Sequence, residues 1–290
     1  MSWRTVIVSN SSKLDYRMGY LVVRAEETTK IHLSEVSMII IESTAVSLTA
    51  ALLAELTKKK VKVIFCDEKR NPSSELVPYY GSHDTSAKVR TQIAWSPDVK
   101  AAVWTEIVGE KIRKQAEHLA YHGMPEAEKL FQYITEIEFG DASNREGHAA
   151  KVYFNALFGK DFSRSSENSI NAALNYGYGI ILSCFTREIV ANGYITQLGL
   201  FHDNMFNQFN LASDLMEPFR PVVDRTVWDL WPDKFETEEK RKVLGLLDKQ
   251  VQINGRSELI GNAIKIYCKS VFDALNENDY SMLRFYSDEL

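Results

Sequence analysis

Three segments far apart in the chain carry side chains able to bind a divalent cation. Arg145-Glu146-Gly147-His148-Ala149-Ala150 places an acid at the head of a helical pattern. Leu198-Gly199-Leu200-Phe201-His202 supplies an imidazole, and the stretch from Asn210 to Pro221 holds Asp214, Glu217 and Arg220. One imidazole with two or three carboxylates suits a hard cation that keeps coordination positions open, as phosphodiester chemistry requires. Each segment also has a plain structural reading. Ser143-Asn144-Arg145-Glu146 matches a capping box, in which the glutamate folds back on the helix cap. His202 lies beside apolar residues, an ordinary setting for a structural histidine. Asn210, Asp214 and Glu217 recur at helical spacing on one face, which makes either a coordinating edge or a solvated stripe. Pro218 disfavours helical geometry at Glu217 and can turn that carboxylate inward. Arg220 stands three residues beyond Glu217, placed either to hold a phosphate oxygen bidentately or to pair with a neighbouring acid.

Other chemistries lack support. No Walker loop, nucleophile-elbow serine or paired-cysteine motif is present, so ATP hydrolysis and acyl transfer are not indicated. The net charge of −5 does not exclude nucleic acid, because binding to a polyanion depends on local patches rather than on the sum. Lys58-Lys59-Lys60 with Lys62, Lys111 with Arg113 and Lys114, and Lys240-Arg241-Lys242 are such patches, each also readable as a solvated helix face. Cys66, Cys184 and Cys268 are odd in number and widely spaced, which points to a reducing cytoplasm rather than a disulfide framework. Ser2-Trp3-Arg4-Thr5 runs directly into a strand-like pattern without a secretory signal. The most apolar stretch, Tyr176 to Phe185, is too short and glycine-interrupted to span a bilayer, so no membrane role is expected.

The elements that must position these residues fall into two kinds. Thr5 to Val8, Tyr20 to Arg24, Ile31 to Leu33, Met38 to Ile41 and Val61 to Phe65 are short, apolar and β-branched, and predict a small sandwich. Ser47 is the expected cap of one intervening helix, whose Leu48, Ala51, Leu52 and Leu56 recur at helical spacing. From about Asn71 to Val89 the composition turns to Pro, Ser, Gly, His and Asp without periodicity. The expected division is therefore a β-rich domain over 1–75, a linker over 76–93 and a helical domain over 94–290. Trp104, Ile107, Val108, Ile112, Ala116 and Leu119 form one helical stripe, with Pro97 in the first turn. Further helices are expected over 149–157, 170–190, 211–217, 241–251 and 257–275, with Asn192-Gly193 ending the second of them. The fold class is α+β: an N-terminal β-sandwich followed by an all-α catalytic domain.

Taken together, Glu146-Gly147-His148-Ala149-Ala150, Leu174-Asn175-Tyr176-Gly177-Tyr178, Gly199 to His202 and Asp214-Leu215-Met216-Glu217-Pro218-Phe219-Arg220-Pro221 resemble the CRISPR-associated integrase of spacer acquisition. The opening Trp3-Arg4-Thr5-Val6 and the strands after it resemble the type II branch. The resemblance implies a dimerising β-sandwich, metal ligands at Glu146, His202 and Glu217, and Mg2+ or Mn2+ as cofactor. It makes Asp214 a possible auxiliary acid and Arg220 a possible auxiliary residue. The implied activity is a metal-dependent transesterification joining the 3′-hydroxyl ends of short foreign double-stranded DNA to CRISPR repeat DNA. The same site using water would act as a DNA endonuclease. Implied partners are a second copy of the chain, a small companion adaptation protein bridging two dimers, an effector nuclease and a ring-forming end-binding protein. Lys111, Lys114, Lys151 and Arg164 are candidate DNA contacts. The alternatives are a structure-selective, metal-dependent endonuclease with no integration role and a non-catalytic DNA-binding scaffold.

Overall fold

The computed structural model describes residues 4–79 and 82–287, so Trp3 of the opening motif and Tyr80-Gly81 of the expected linker lie outside the described residues. The chain divides into two compact units, one up to His83 and one from Asp84 onward.

The first unit is a β-sandwich. Its strands are β1 (Arg4–Val8), β2 (Ser12–Arg17), β3 (Tyr20–Arg24), β4 (Thr28–His32), β5 (Val36–Ile41), β6 (Val46–Leu48), β7 (Lys62–Cys66) and β8 (Pro72–Glu75). They form two four-stranded sheets, in the orders β1-β5-β7-β8 and β4-β3-β2-β6. Met18 and Gly19, at φ 48° and 88°, make the tight turn of the β2–β3 hairpin, where positive φ at both central residues matches the twist of the paired strands. The central β5 pairs in parallel with both β1 and β7, and its Met38-Ile39-Ile40-Ile41 run is buried on both faces, as internal parallel strands are. Val6, Val8, Leu14, Leu21, Ile39, Ile41 and Val63 from the two sheets pack with Leu52 and Leu56 of helix α1 (Ala50–Lys58) into one core. Thr49, not Ser47, caps α1, its Oγ1 accepting from Leu52 N at 3.3 Å, because Ser47 is committed to β6.

The second unit is helical, with α2 (Thr85–Ile93), α3 (Pro97–Tyr121), α4 (Glu126–Thr135), α5 (Arg145–Phe158), α6 (Ser169–Ala191), α7 (Asn210–Leu215), α8 (Arg220–Leu230), α9 (Thr237–Leu244) and α10 (Ile260–Glu277). Pro97 opens α3 as expected, and Ser96 caps it by accepting from Val99 N at 3.2 Å. The stripe from Trp104 to Leu119 is buried along its length. Asn192 ends α6, and Gly193 follows at φ 88°. Pro218 ends the α7 pattern, and Glu217 to Phe219 form a single tighter turn leading into α8.

Two expectations are corrected here. Residues 85–93, assigned by composition to a linker, form α2. The unit is also not all-α, because β9 (Gln250–Ile253), β10 (Arg256–Leu259) and β11 (Tyr286–Ser287) make a small sheet. Asn254-Gly255, at φ 51° and 72°, turns β9 into β10 as a tight hairpin. The helices expected over 241–251 and 257–275 are displaced accordingly, ending at Leu244 and beginning at Ile260. No helix among the described residues is long and apolar enough to cross a membrane.

Candidate active site

Glu146 is presented by the first turn of α5. That turn is capped by others: Asp141 accepts from Arg145 N at 2.7 Å and from Glu146 N at 3.1 Å, while Asn144, in left-handed conformation at φ 53°, accepts from Gly147 N at 3.3 Å. The capping box therefore does not form through Glu146. Its carboxylate instead accepts a charge-assisted hydrogen bond from Lys111 Nζ. Lys111 projects from the middle of α3, is buried, and donates at the same time to Glu217 Oε2. The other oxygen of Glu217 accepts from Arg220 Nε at 2.8 Å, and the Arg220 guanidinium lies over the Tyr178 ring at 4.8 Å.

His202 is held by a dense set of contacts. Asp214 on α7, fully buried, accepts from the backbone N–H groups of Leu200 at 2.6 Å, Phe201 at 3.1 Å and His202 at 3.1 Å. It also meets His202 Nδ1 at 2.5 Å. Gly199 is required beside it, since a Cβ there would stand 2.3 Å from His202 O and 2.7 Å from Asp214 Oδ2. Asn210 Nδ2 donates to Gln197 O and Asn204 O, both at 3.1 Å. From the other side Gln92 of α2 donates to Ile195 O at 2.9 Å and Leu198 O at 3.0 Å, and accepts from Ile195 N at 3.0 Å. Trp104 stacks on Phe201 at 4.7 Å and meets the His202 ring edge-on at 5.8 Å.

Glu146, His202 and Glu217 line one cavity of about 270 Å³, together with Lys111, Arg164 and Arg220. The structure thus gathers the three expected ligands from α5, the loop after α6 and the turn after α7. Asp214 does not join them. It stands behind His202 with both oxygens engaged, so its place is to orient the imidazole rather than to serve as the auxiliary acid. Asn210, Asp214 and Glu217 do not act as one edge, because Pro218 ends the helix before Glu217 and redirects that carboxylate.

The candidate DNA contacts separate as well. Lys111 is buried between acids, and Lys114 is buried with Glu110 at 3.4 Å, Glu117 at 3.1 Å and the Tyr286 ring at 5.0 Å. Neither can track a DNA backbone. Lys151 is exposed, and Arg164 lines the cavity while donating to Asn171 and, at 2.7 Å, to Asn175.

Electrostatics follow this geometry. Burial alone would raise the Glu217 carboxyl, but Arg220 and Lys111 outweigh it and hold it below the usual carboxylate range. Burial likewise opposes the Lys111 charge, and Glu217 and Glu146 overcome it, so the amine is held above the ordinary lysine value. The hydrogen bond to Asp214 raises the His202 imidazole.

Among the described residues, no three of His, Cys, Asp and Glu stand close enough together to hold a metal ion, and the Lys111 ammonium lies between Glu146 and Glu217. The donor set nevertheless fits a hard divalent cation. Two carboxylates already converge on one positive charge, and the engagement of Nδ1 by Asp214 leaves Nε2 as the His202 nitrogen that could ligate.

One ionisable residue of the cavity was not singled out from sequence. Asp224, on α8, is 1% exposed, and its Oδ1 accepts from the Tyr178 hydroxyl. Its Oδ2 is buried without a hydrogen-bond partner among the described residues. Burial pushes the Asp224 carboxyl up to about 6. Gly177 allows this contact: a Cβ there would lie 2.4 Å from Val223 Cγ1, so only glycine lets α6 approach α8 so closely. The available signal was the position of Asp224 one helical turn beyond Arg220.

Comparison with known proteins supplies an independent view. A family model described as CRISPR associated protein Cas1 matches residues 5–251. A curated relative, "CRISPR-associated endonuclease Cas1" of Neisseria meningitidis serogroup C (strain 8013), is 36% identical, over 80% of this chain and 77% of its own length. Among solved structures, a "Casposase bound to integration product" superposes with a TM-score of 0.78 at 18% identity, covering 97% of this chain and 93% of that one. A chain of a "Cas6-RT-Cas1--Cas2 complex" superposes with a TM-score of 0.74 at 17% identity, covering 99% of this chain and 36% of that longer one.

Proposed function

Because the chain belongs to the Cas1 family of CRISPR-associated proteins, we propose that it is a metal-dependent DNA endonuclease and integrase of CRISPR adaptation. It joins the 3′-hydroxyl ends of short foreign DNA to the CRISPR repeat by transesterification. The observation that carries this reading is the convergence of Glu146, His202 and Glu217 on one cavity in which buried positive charge is already demanded.

In this reading Glu146, Glu217 and Nε2 of His202 would hold Mg2+ or Mn2+, which when bound would lower the pKa of the attacking hydroxyl and neutralise charge on the phosphate. Asp214 accepts a hydrogen bond from the Nδ1–H of His202 and fixes the tautomer, so that Nε2 presents a lone pair. Arg220 steadies Glu217 with Nε and keeps the rest of its guanidinium for a phosphate oxygen. Arg164, at the same cavity, is placed for a second phosphate contact. The loop from Ile195 to His202 is fixed before substrate arrives, which favours attack along one direction.

The β-sandwich is the dimerising part of the proposal. A companion protein bridging two dimers would give two active sites, one for each DNA end, and one neighbour in fold is described as part of an assembly containing Cas2. An effector nuclease and an end-binding ring are further partners of the same system, and cytoplasmic residence accords with three buried cysteines that form no disulfide among the described residues.

The test is a defined duplex with 3′-hydroxyl ends, incubated with Mn2+, the companion protein and a plasmid carrying the repeat. Covalently joined product is expected from the wild type and none from Glu146→Ala, His202→Ala or Glu217→Ala. Cleavage without joining would favour the endonuclease lacking an integration role. Full joining by all three variants would remove this site from the chemistry.

A further inference from the structure

Lys111 lies where a bound metal would need to be. Lys111 is 5% exposed and its ammonium bridges Glu146 to Glu217, which also pairs with Arg220, so two acids and two cations balance in a largely buried set. Removing one member of such a set leaves uncompensated charge in a poorly solvated place. A divalent cation taking the same oxygens cannot share them with the ammonium, because like charges at contact distance repel strongly when buried. The ammonium must therefore leave, and it needs another partner when it does.

Two acceptors of the same cavity are buried without a hydrogen-bond partner among the described residues, Gln115 Oε1 and Asp224 Oδ2, and of the two only Asp224 belongs to an ionisable group. Asp224 Oδ2 is buried without a hydrogen-bond partner among the described residues, while Oδ1 is anchored by Tyr178 and so fixes the direction of the carboxylate. Asp224 feels the charge of Lys111, and also those of Arg220 and Arg164, across the cavity that all four line. Arg220 pairs with Glu217 through Nε, and Arg164 donates to Asn171 and Asn175. Lys111 is the one of these cations that bridges both acidic metal-ligand candidates, Glu146 and Glu217.

From this geometry we infer that Lys111 is the resident counter-cation of the site, displaced when a divalent metal binds, and that Asp224 is the carboxylate that receives it. The inference rests on the metal-site reading above and goes beyond it. The same ammonium keeps two acids compatible with a folded, metal-free protein and sets the metal affinity by competition. Lys111 and Asp224 are thus positioning residues acting through Glu146 and Glu217.

The test is Mn2+ binding to the DNA-free full chain, followed by the electron paramagnetic resonance signal of free Mn2+. Four proteins are compared: wild type, Lys111→Met, Asp224→Asn and the double variant. Lys111→Met, which keeps the bulk and removes the charge, is expected to bind Mn2+ about tenfold more tightly or better. Its melting temperature in EDTA should fall below that of the wild type, and Mn2+ should raise it by more. Asp224→Asn should weaken Mn2+ binding about tenfold in the Lys111 protein. Most of that loss should vanish in the Lys111→Met background, which a purely structural role for Asp224 would not produce. Unchanged or weaker binding by Lys111→Met overturns the inference, as does an equal effect of Asp224→Asn in both backgrounds. Should Lys111→Met fail to fold without metal, Asp224→Asn decides alone, and unchanged affinity there overturns the inference. Glu217→Gln separates the two levels. If it keeps full Mn2+ affinity, the metal-site reading itself fails, whereas loss of affinity in Glu217→Gln without tightening in Lys111→Met removes only the counter-cation.

Discussion

Asp214 Oδ1 grips His202 at two points, the backbone N–H at 3.1 Å and ring Nδ1 at 2.5 Å. A single buried carboxylate therefore sets both the position of the histidine backbone and the direction of its imidazole. With Oδ2 accepting from Leu200 and Phe201, the group serves as the anchor of the whole loop. The proposed cation site would depend on a residue that does not line its cavity.

Asp214→Ala should consequently be costly in two ways. It strands three backbone donors and one ring nitrogen, and lowers stability by about 3–5 kcal/mol, at roughly 1–3 kcal/mol for each donor left without a partner and partial recovery by water. Strand transfer should be lost as well, because Nε2 is no longer aimed. Urea denaturation alongside the joining assay checks both. Wild-type stability in the variant would contradict the role given to Asp214.

Gly199→Ala tests the same loop through sterics alone. The added methyl would meet a backbone oxygen at 2.3 Å, which a flexible side chain cannot relieve. A loss of about 1–3 kcal/mol is expected, with a disproportionate fall in activity as the His202 backbone shifts. An active variant of unchanged melting temperature would show that the loop is softer than its contacts imply.

Asp141→Ala addresses Glu146. Two N–H groups of the first turn of α5 lose their acceptor, at about 1–2 kcal/mol for a lost cap. Fraying of that turn releases Glu146 from its place opposite Lys111, so Mn2+ affinity should fall together with helix stability. Calorimetry on the variant, with and without Mn2+, reads both quantities.

The His118 imidazole gives a pH signature. Burial, and then the nearby charges of Arg225, His122 and Lys249, push it down to about 3 from the ordinary 6.5. Between those values the unfolded chain binds a proton that the folded protein does not. The contribution of neutral His118 is complete above the unfolded value and is lost as pH falls towards 3, at up to about 1.4 kcal/mol per pH unit. His118→Gln should be less stable at pH 7, and its deficit should shrink between pH 6.5 and 4.5. A deficit independent of pH would contradict the buried neutral state.

The legible parts of this protein are those where one physical signal dominates. The β-branched runs of β1, β5 and β7 and the apolar stripe of α3 fill cores, so their patterns are strong. β2 passed unnoticed because Leu14 and Tyr16 alternate with polar residues and leave little apolar signal. α2 buries only Gln92, a polar residue whose value lies in hydrogen bonds to a loop about a hundred positions away, so no apolar stripe announces it. The β9–β10 hairpin did carry a local sign, Asn254-Gly255 after Val251 and Ile253, which the search for helical spacing passed over. Glu146, His202 and Glu217, which line one cavity, stood out in sequence as residue types with motif context. Lys111 did not, because beside Arg113 and Lys114 a buried ammonium and a solvated one look the same in sequence.

The central claim is that Glu146, His202 and Glu217 close on one cation. Its most direct measurement is an anomalous difference map from crystals of the protein grown with Mn2+. The account predicts a single strong peak within ligating distance of both carboxylates and of His202 Nε2, with His202 Nδ1 still on Asp214. A Mn2+ peak elsewhere in the molecule, with His202 turned away from it, would contradict the account.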